Sequence, residues 1–311
     1  MARYIITGGS GFVGRSLSQR LRRDGHEVLV ATRGRHKDDD EQHWIEYDMR
    51  DRATIANLLQ AQADGIFHLA WSTSPATAES DPASDVQVNL VGTVDFFQAM
   101  TQSPETPIVF ISSGGTVYGR VAELPIAEGH PLQPIGVYGA TKAAAERYAS
   151  IFRQNAGLDI RIARLSNPFG ARQSAAKLQG AASIFTRKIL AGDIINVWGD
   201  GRVIRDYVDV EDAADAIRAI MESAQTTNAQ APTYNVGSGE GITLIELLEI
   251  IADSTGIEPL VEFGEARAFD IPANILNIDK IRATLGWKPK RPMKEALVEM
   301  IRSMVETGAG R

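Results

Sequence analysis

The chain has 311 residues, 44% of them hydrophobic and 23% charged, which is an ordinary globular composition and enough length for one large domain with a smaller appendage. A formal charge of −7 argues against nucleic acid as a partner, and zero cysteines exclude disulfide and thiolate chemistry, in keeping with a reducing compartment. No apolar run is long enough to span a bilayer, and the first apolar stretch, residues 4–6, stops at glycines, unlike a signal peptide, so a cytoplasmic location without membrane association is expected.

Residues 4–7 read as a strand, 14–24 as a helix and 27–32 as a second strand. The polar stretch 33–41 reads as a solvated loop, followed by a helix over 54–62, a strand over 65–69 and a helix over 86–100. A strand over 107–112, a helix over 137–155 and a strand over 159–165 complete this half. Alternating helices and apolar strands imply an α/β fold with a doubly wound parallel sheet, covered on both faces and joined by right-handed crossovers. After Asn167 glycines and prolines multiply, and short helices at 184–191 and 244–255 alternate with isolated strands. The expected division is a first domain over 1–166 and a smaller mixed α/β lobe over 167–311, with 206–236 returning to the large sheet through strands at 206–210 and 233–236.

The first strand runs directly into Gly8-Gly9-Ser10-Gly11-Phe12-Val13-Gly14, and a helix follows. Gly8 permits the tight turn, Gly11 lets backbone approach a pyrophosphate, and Gly14 lets helix and strand pack closely. The helix start then offers unpaired N–H groups and partial positive charge to phosphates. This placement between the first strand and helix of a βαβ unit marks a Rossmann-type dinucleotide site with NAD or NADP as cofactor. At the end of the second strand the sequence reads Ala31-Thr32-Arg33-Gly34-Arg35, without the carboxylate that usually holds the adenosine ribose. Arg33, Arg35 and Lys37 favour NADP through its 2′-phosphate, while Asp48 and Met49 are placed to meet the adenine.

Tyr138 and Lys142 open a helix at i and i+4 spacing and share a face. A free tyrosine titrates near pH ~10. A unit charge about 4 Å away at an effective dielectric of about 20 is worth about 4 kcal/mol, or roughly three pK units. The pair is therefore expected to yield a phenol able to take a hydroxyl proton while hydride leaves the adjacent carbon.

Further segments complete a pattern. They are Phe67-His68-Leu69-Ala70, Asn89-Leu90-Val91-Gly92-Thr93, Ser112-Ser113-Gly114-Gly115-Thr116-Val117-Tyr118-Gly119, Arg164-Leu165-Ser166-Asn167-Pro168-Phe169-Gly170, Arg205-Asp206-Tyr207-Val208-Asp209, Tyr234-Asn235-Val236-Gly237 and Leu285-Gly286-Trp287. With the glycine loop and Y-x-x-x-K, the chain resembles the extended short-chain dehydrogenase/reductase family, in its sugar-nucleotide epimerase branch of UDP-glucose 4-epimerase type. The resemblance implies that Leu69, Ala70, Ser112, Leu165, Tyr138 and Lys142 line the cofactor pocket. It implies that Thr116, Tyr138, Asn167, Arg205, Arg267 and Asp270 contact a nucleotide-diphosphate sugar, with no metal. It also implies a homodimer through helices near 86–100 and 141–155, where Val94, Phe97, Ala145, Ile151 and Phe152 would serve either the interface or the core.

Two departures stand out. Where the family usually has a hydroxyl residue five positions before the glycine of V-Y-G, this chain has Gly114; Thr116, with Ser113 as alternative, becomes the expected third catalytic residue. Gly115-Thr116 stands where 4,6-dehydratases carry an Asp-Glu pair, which argues against water elimination, and Trp71 replaces a usually small residue. The leading expectation is a nucleotide-sugar 4-epimerase acting through a transient 4-keto sugar. An NADPH-dependent 4-ketoreductase is the alternative, supported by Thr32-Arg33, and a non-catalytic dinucleotide-binding protein is a third reading.

Overall fold

The computed structural model describes residues 1–34, 43–170, 180–224, 230–267 and 270–306. Its first strand, β1 (Arg3–Thr7), is buried on both sides, because adjacent Ile5 and Ile6 point to opposite faces and enter separate hydrophobic clusters. The chain continues through α1 (Phe12–Arg23), β2 (Glu27–Thr32), β3 (Trp44–Glu46), α2 (Arg52–Gln60) and β4 (Gly65–His68). Short helices α3 (Pro75–Ser80) and α4 (Pro82–Asp85) lead into a π-helical turn (Val86–Val91) and α5 (Gly92–Met100). Then come β5 (Ile108–Ser113), α6 (Val137–Ala156) and β6 (Ile160–Leu165). The second half contains β7 (Asn167–Phe169), α7 (Ala181–Ala191), β8 (Ile195–Trp198), β9 (Ile204–Arg205), β10 (Tyr207–Asp209), α8 (Val210–Glu222) and β11 (Thr233–Val236). It ends with β12 (Ile242–Thr243), α9 (Leu244–Thr255), β13 (Val261–Gly264), β14 (Ala273–Asn274), α10 (Asp279–Leu285) and α11 (Met293–Glu306).

Seven parallel strands form the main sheet in the order β11-β6-β5-β4-β1-β2-β3, the doubly wound Rossmann arrangement expected from strand–helix alternation. One face is covered by α1 and α8, with Leu17, Leu21, Ile217 and Ile220 fully buried against Ile6 and Val109. The other is covered by α2, α5 and α6, with Phe96, Phe97, Ala145 and Ala149 against Ile5, Ile66 and Phe110. A third cluster, built from Phe169, Phe185, Val197, Leu247, Ile251, Leu297 and Ile301, gives the second lobe its own core.

Local chemistry explains the ends. The last turn of α1 collects Arg20, Arg22 and Arg23, favourable against the helix dipole, and Gly157 closes α6 in the left-handed region at φ 72°. In α9, Thr243 and Glu246 form a reciprocal capping box.

Two expectations need correcting. The segment 206–210 does not return to the large sheet: β10 pairs with β7 in a separate parallel ladder, because the edge of β6 is already taken by β11. The segment 233–236 does return, as β11, and α8 packs with it on the main sheet. The expected single helix over 86–100 is interrupted by the π-helical turn, a device that widens the spiral and redirects Asp85 and Asn89 toward Ser72 and Thr73. Of the residues considered for a dimer face, Phe97 and Ala145 are fully buried in the subunit's own core, whereas Ile151 is exposed.

Phe97 meets His68, Phe96, Phe110 and Phe152 with ring centroids 5.7–6.4 Å apart. Replacing Phe97 with Ala is expected to lower stability by about 3–5 kcal/mol, read as a fall in the urea unfolding midpoint.

Candidate active site

The glycine loop is built by close approach. Gly8 sits at φ +68°, and a Cβ on it would lie 2.9 Å from the Ala70 backbone; one on Gly14 would lie 2.6 Å from Gly9 Cα. Gly11 is the N-cap of α1, with no side-chain cap and no acidic residue in the first turn, so Phe12, Val13 and Gly14 begin the helix with N–H groups open to an anion. Leu69 and Ala70 leave β4 directly beside Gly8, and Thr7 Oγ1 holds them by accepting the Ala70 N–H at 3.2 Å. Such a cradle, narrow enough to exclude side chains and lined by free N–H groups, fits a dinucleotide pyrophosphate. Below it His68 is fully buried, 2.9 Å from Thr7 Oγ1 and stacked on Phe96; burial, aided by Lys142, pushes its pKa down to about 3.

At the tip of β2 the Thr32 hydroxyl is already engaged, donating to the Gly34 carbonyl at 2.8 Å and accepting from Trp44 Nε1 at 3.0 Å. Arg33 is exposed. Asp48 is clamped by Arg50, whose guanidinium and backbone N–H, with a smaller contribution from Arg33, hold its carboxyl below the usual range despite partial burial. Met49 is buried beneath Gly92. Arg35 and Lys37 lie outside the described residues.

Helix α6 brings Tyr138 and Lys142 to one face, but the electrostatics differ from expectation. Lys142 Nζ donates to the Ile111 carbonyl at 2.7 Å and lies 3.5 Å from the centre of the Trp71 ring, against 6.0 Å from that of Tyr138. Burial pushes the Lys142 pKa down to about 7, against the opposing pull of Glu146 and Asp85. Tyr138 is held well above its usual range, first by burial and then by Asp85. Lys142 does not figure among the groups that shift the Tyr138 phenol, which burial and Asp85 dominate. Desolvation acts on both groups, and the Trp71 indole packs edge-on to Tyr138 while its face holds the amine.

The loop after β5 explains the missing hydroxyl. A Cβ at Gly114 would lie 2.5 Å from Leu276 Cδ1, and the Gly114 carbonyl accepts from Asn274 Nδ2 at 2.9 Å, so a side chain there would require the Leu276 side chain of the second lobe to shift. Ser112 Oγ donates to Glu146, and Ser113 closes the turn with its carbonyl, accepting the N–H groups of Thr116 and Val117. Thr116 Oγ1 is buried and has no hydrogen-bond partner among the described residues. Thr116 and Tyr138 line one cavity of about 30 Å³, with Ile271 contributed by the second lobe.

Leu165 is buried at the end of β6 and accepts the Gly114 N–H through its carbonyl. Asn167 lies beside the same loop and donates its Nδ2 to the Asp206 carbonyl at 2.8 Å. Arg205 donates to the carbonyls of Ile204 and Ile271 at 2.9 and 2.6 Å, and burial pulls its pKa below the usual value. Arg267 and Asp270 form a two-bond ion pair at 2.9 Å each, with the guanidinium 5.7 Å from the Trp198 ring. The structure thus gathers two constellations, Tyr138–Lys142–Thr116 and Arg205–Arg267–Asp270.

Sequence reasoning missed Asp85 and gave Trp71 no fixed role. Asp85 is fully buried, accepts from Thr73 and Asn89 through one oxygen, and leaves the other without a partner. Its i, i+4 spacing to Asn89 was a signal available in the sequence, but only the π-helical turn aims both at the segment after Trp71.

A family profile described as "NAD dependent epimerase/dehydratase family" matches residues 4–237. The chain is 32% identical over 308 residues to a UDP-glucose 4-epimerase of Mycolicibacterium smegmatis, covering 96% of this chain and 97% of that one. Among solved structures, it superposes on the Thermus thermophilus UDP-glucose 4-epimerase complex with NAD at TM-score 0.87 and 32% identity, covering 96% and 99%. The Thermotoga maritima UDP-glucose 4-epimerase with UDP-glucose gives TM-score 0.88 at 27% identity, covering 98% and 99%.

Because the Lys142 pKa falls from 10.5 to about 7 on folding, the unfolded chain binds more protons between those values, and stability from this group rises with pH across that window. In thermal unfolding of the ligand-free protein, the wild type should gain on Lys142→Met as pH goes from ~7 to ~10. A pH-independent difference would contradict the assignment.

Proposed function

Because the chain belongs to the NAD-dependent epimerase/dehydratase family and is an NAD(P)-dependent enzyme of the extended short-chain dehydrogenase/reductase type, we propose that it is a nucleotide-sugar 4-epimerase. The observation that carries the reading is the cavity lined together by Tyr138, Thr116 and the second lobe's Ile271, with the Thr116 hydroxyl lacking a partner among the described residues. The relatives named for UDP-glucose support UDP-sugars as the substrate class.

The Gly8–Gly14 loop and α1 would hold the dinucleotide pyrophosphate, with Leu69, Ala70, Ser112 and Leu165 along its path. When bound there, the nicotinamide would supply reversible hydride acceptance from the sugar carbon. The Tyr138 oxygen, as phenolate, takes the C4 hydroxyl proton and, as the resulting phenol, gives it back to the carbonyl oxygen of the keto sugar. Burial and Asp85 hold the phenol's pKa high, so its base form depends on positive charge beside it, which the oxidised nicotinamide would supply. Thr116 donates to the reacting oxygen, and its lack of an internal partner leaves it available. Asn167, Arg205 and Arg267 hold the substrate diphosphate, the guanidiniums through charge-assisted bonds, with Asp270 orienting Arg267 through its ion pair and taking a ribose hydroxyl. A homodimer through α5 and α6 belongs to this reading, with Tyr148 and Ile151 as its exposed contacts.

A second reading, an NADPH-dependent 4-ketoreductase, is favoured by one observation: β2 ends in buried Thr32 and exposed Arg33 rather than in a carboxylate. An epimerase interconverts UDP-glucose and UDP-galactose with no net change in cofactor absorbance. Stoichiometric consumption of NADPH with a keto sugar nucleotide would establish the reductase instead. In either case Tyr138→Phe should lower kcat by about 10²–10⁴-fold, as expected for loss of a proton-transfer group, while nucleotide-sugar affinity stays near wild type by calorimetry. For the cofactor, Arg33→Ala should weaken NADPH binding and leave NADH unchanged; an equal effect on both would remove Arg33 from 2′-phosphate recognition.

A further inference from the structure

Helix α6 has no cap of its own. Gly136 stands at its N-cap position without a side chain, and the first helical N–H, that of Val137, donates to Glu79 Oε1 of α3 at 2.6 Å. Helix α3 is in turn fixed by Pro75 in its first turn and by the reciprocal Ser74–Thr77 capping box. Two short elements thus deliver a carboxylate to the start of the helix that carries Tyr138 and Lys142. Glu79 also lines the cavity shared by Thr116, Tyr138, Ile135 and Ile271, where it is the one charged side chain among the described residues. Its second carboxylate oxygen has no hydrogen-bond partner among the described residues.

An ionised carboxylate accepts hydrogen bonds at both oxygens and donates none. With Oε1 engaged by Val137, the free oxygen is matched to a hydroxyl donor and mismatched to another anion. We propose that Glu79 is a specificity-determining residue of the sugar site, accepting a hydroxyl of a neutral hexose and rejecting a sugar that carries a carboxylate. The inference rests on the nucleotide-sugar reading above and adds the sugar class. Two unit charges about 6 Å apart at an effective dielectric of about 20 would discriminate by about 100-fold. Glu79 is only half-buried, so solvent screening reduces the expected discrimination to about tenfold.

The test separates capping from recognition. Glu79→Gln keeps a side-chain oxygen that accepts the Val137 N–H and removes the charge, whereas Glu79→Ala removes both. Binding of UDP-glucose and of UDP-glucuronate, which differ at C6, is measured by calorimetry on the full chain, alongside thermal unfolding. The wild type should bind UDP-glucose at least ~10-fold more tightly. Glu79→Gln should shrink that preference by about tenfold, mainly by tightening UDP-glucuronate, with its Tm near that of the wild type, while Glu79→Ala should lower the Tm. If UDP-glucose binds and the preference does not move in Glu79→Gln, Glu79 is a cap alone and the inference is overturned. If the wild type binds neither compound, the nucleotide-sugar reading falls and takes this inference with it.

Discussion

Burial of the Lys142 amine is the constraint around which the candidate site is organised. An ammonium taken from water must find oxygen or aromatic partners or lose its proton. Here Nζ has the Ile111 carbonyl on one side and the Trp71 face on the other, and its pKa has moved to about 7. Each partner is held by something else. Ile111 belongs to β5, locked between β4 and β6 in the middle of the sheet, and the segment after Trp71 is held by Asn89 from the π-helical turn and by Asp85 at the end of α4. Glu146, one turn below Lys142, is clamped by Arg164 and by Ser112. The charge balance near the amine is therefore distributed over β5, β6 and three helical segments.

The same desolvation accounts for the state of Tyr138. The half-buried Tyr138 phenol, beside a carboxylate, is pushed toward its neutral form, and the amine one turn away faces the indole rather than the phenol. The two groups share a helical face, and desolvation pushes each toward its neutral form. A pairwise estimate at a dielectric of about 20 assumes two groups facing each other in a uniform medium. The folded site offers instead an aromatic wall and a backbone acceptor.

The junction between the lobes sets the rest. Leu276 fills the space that a side chain at residue 114 would need, Asn274 holds the Gly114 carbonyl, and Ile271 closes the cavity of Tyr138 and Thr116. Buried Asp206 ties this junction together, accepting from the N–H groups of Ser238, Gly239 and Leu276. The glycine at 114 thus lets Leu276 of the second lobe pack against the loop that carries Thr116.

Much of the fold was legible locally. Apolar runs at strand length, the glycines at 8, 11 and 14 and the i, i+4 spacing of Tyr138 and Lys142 are properties of neighbouring residues, and each reports a backbone requirement that holds wherever the segment ends up. The sequence by itself determined the doubly wound sheet, the anion cradle at the start of α1 and the shared face of Tyr138 and Lys142. It did not determine that β10 pairs with β7, since strand pairing depends on which sheet edge is open, and β11 had closed that of β6. Nor did it determine the protonation of the Tyr–Lys pair, the engagement of Thr32 and Asp48, or the arrival of Glu79 and Asp85 beside α6. Those depend on distance, burial and competing partners from remote parts of the chain. Such quantities come into existence only when the tertiary structure excludes water and fixes which groups meet.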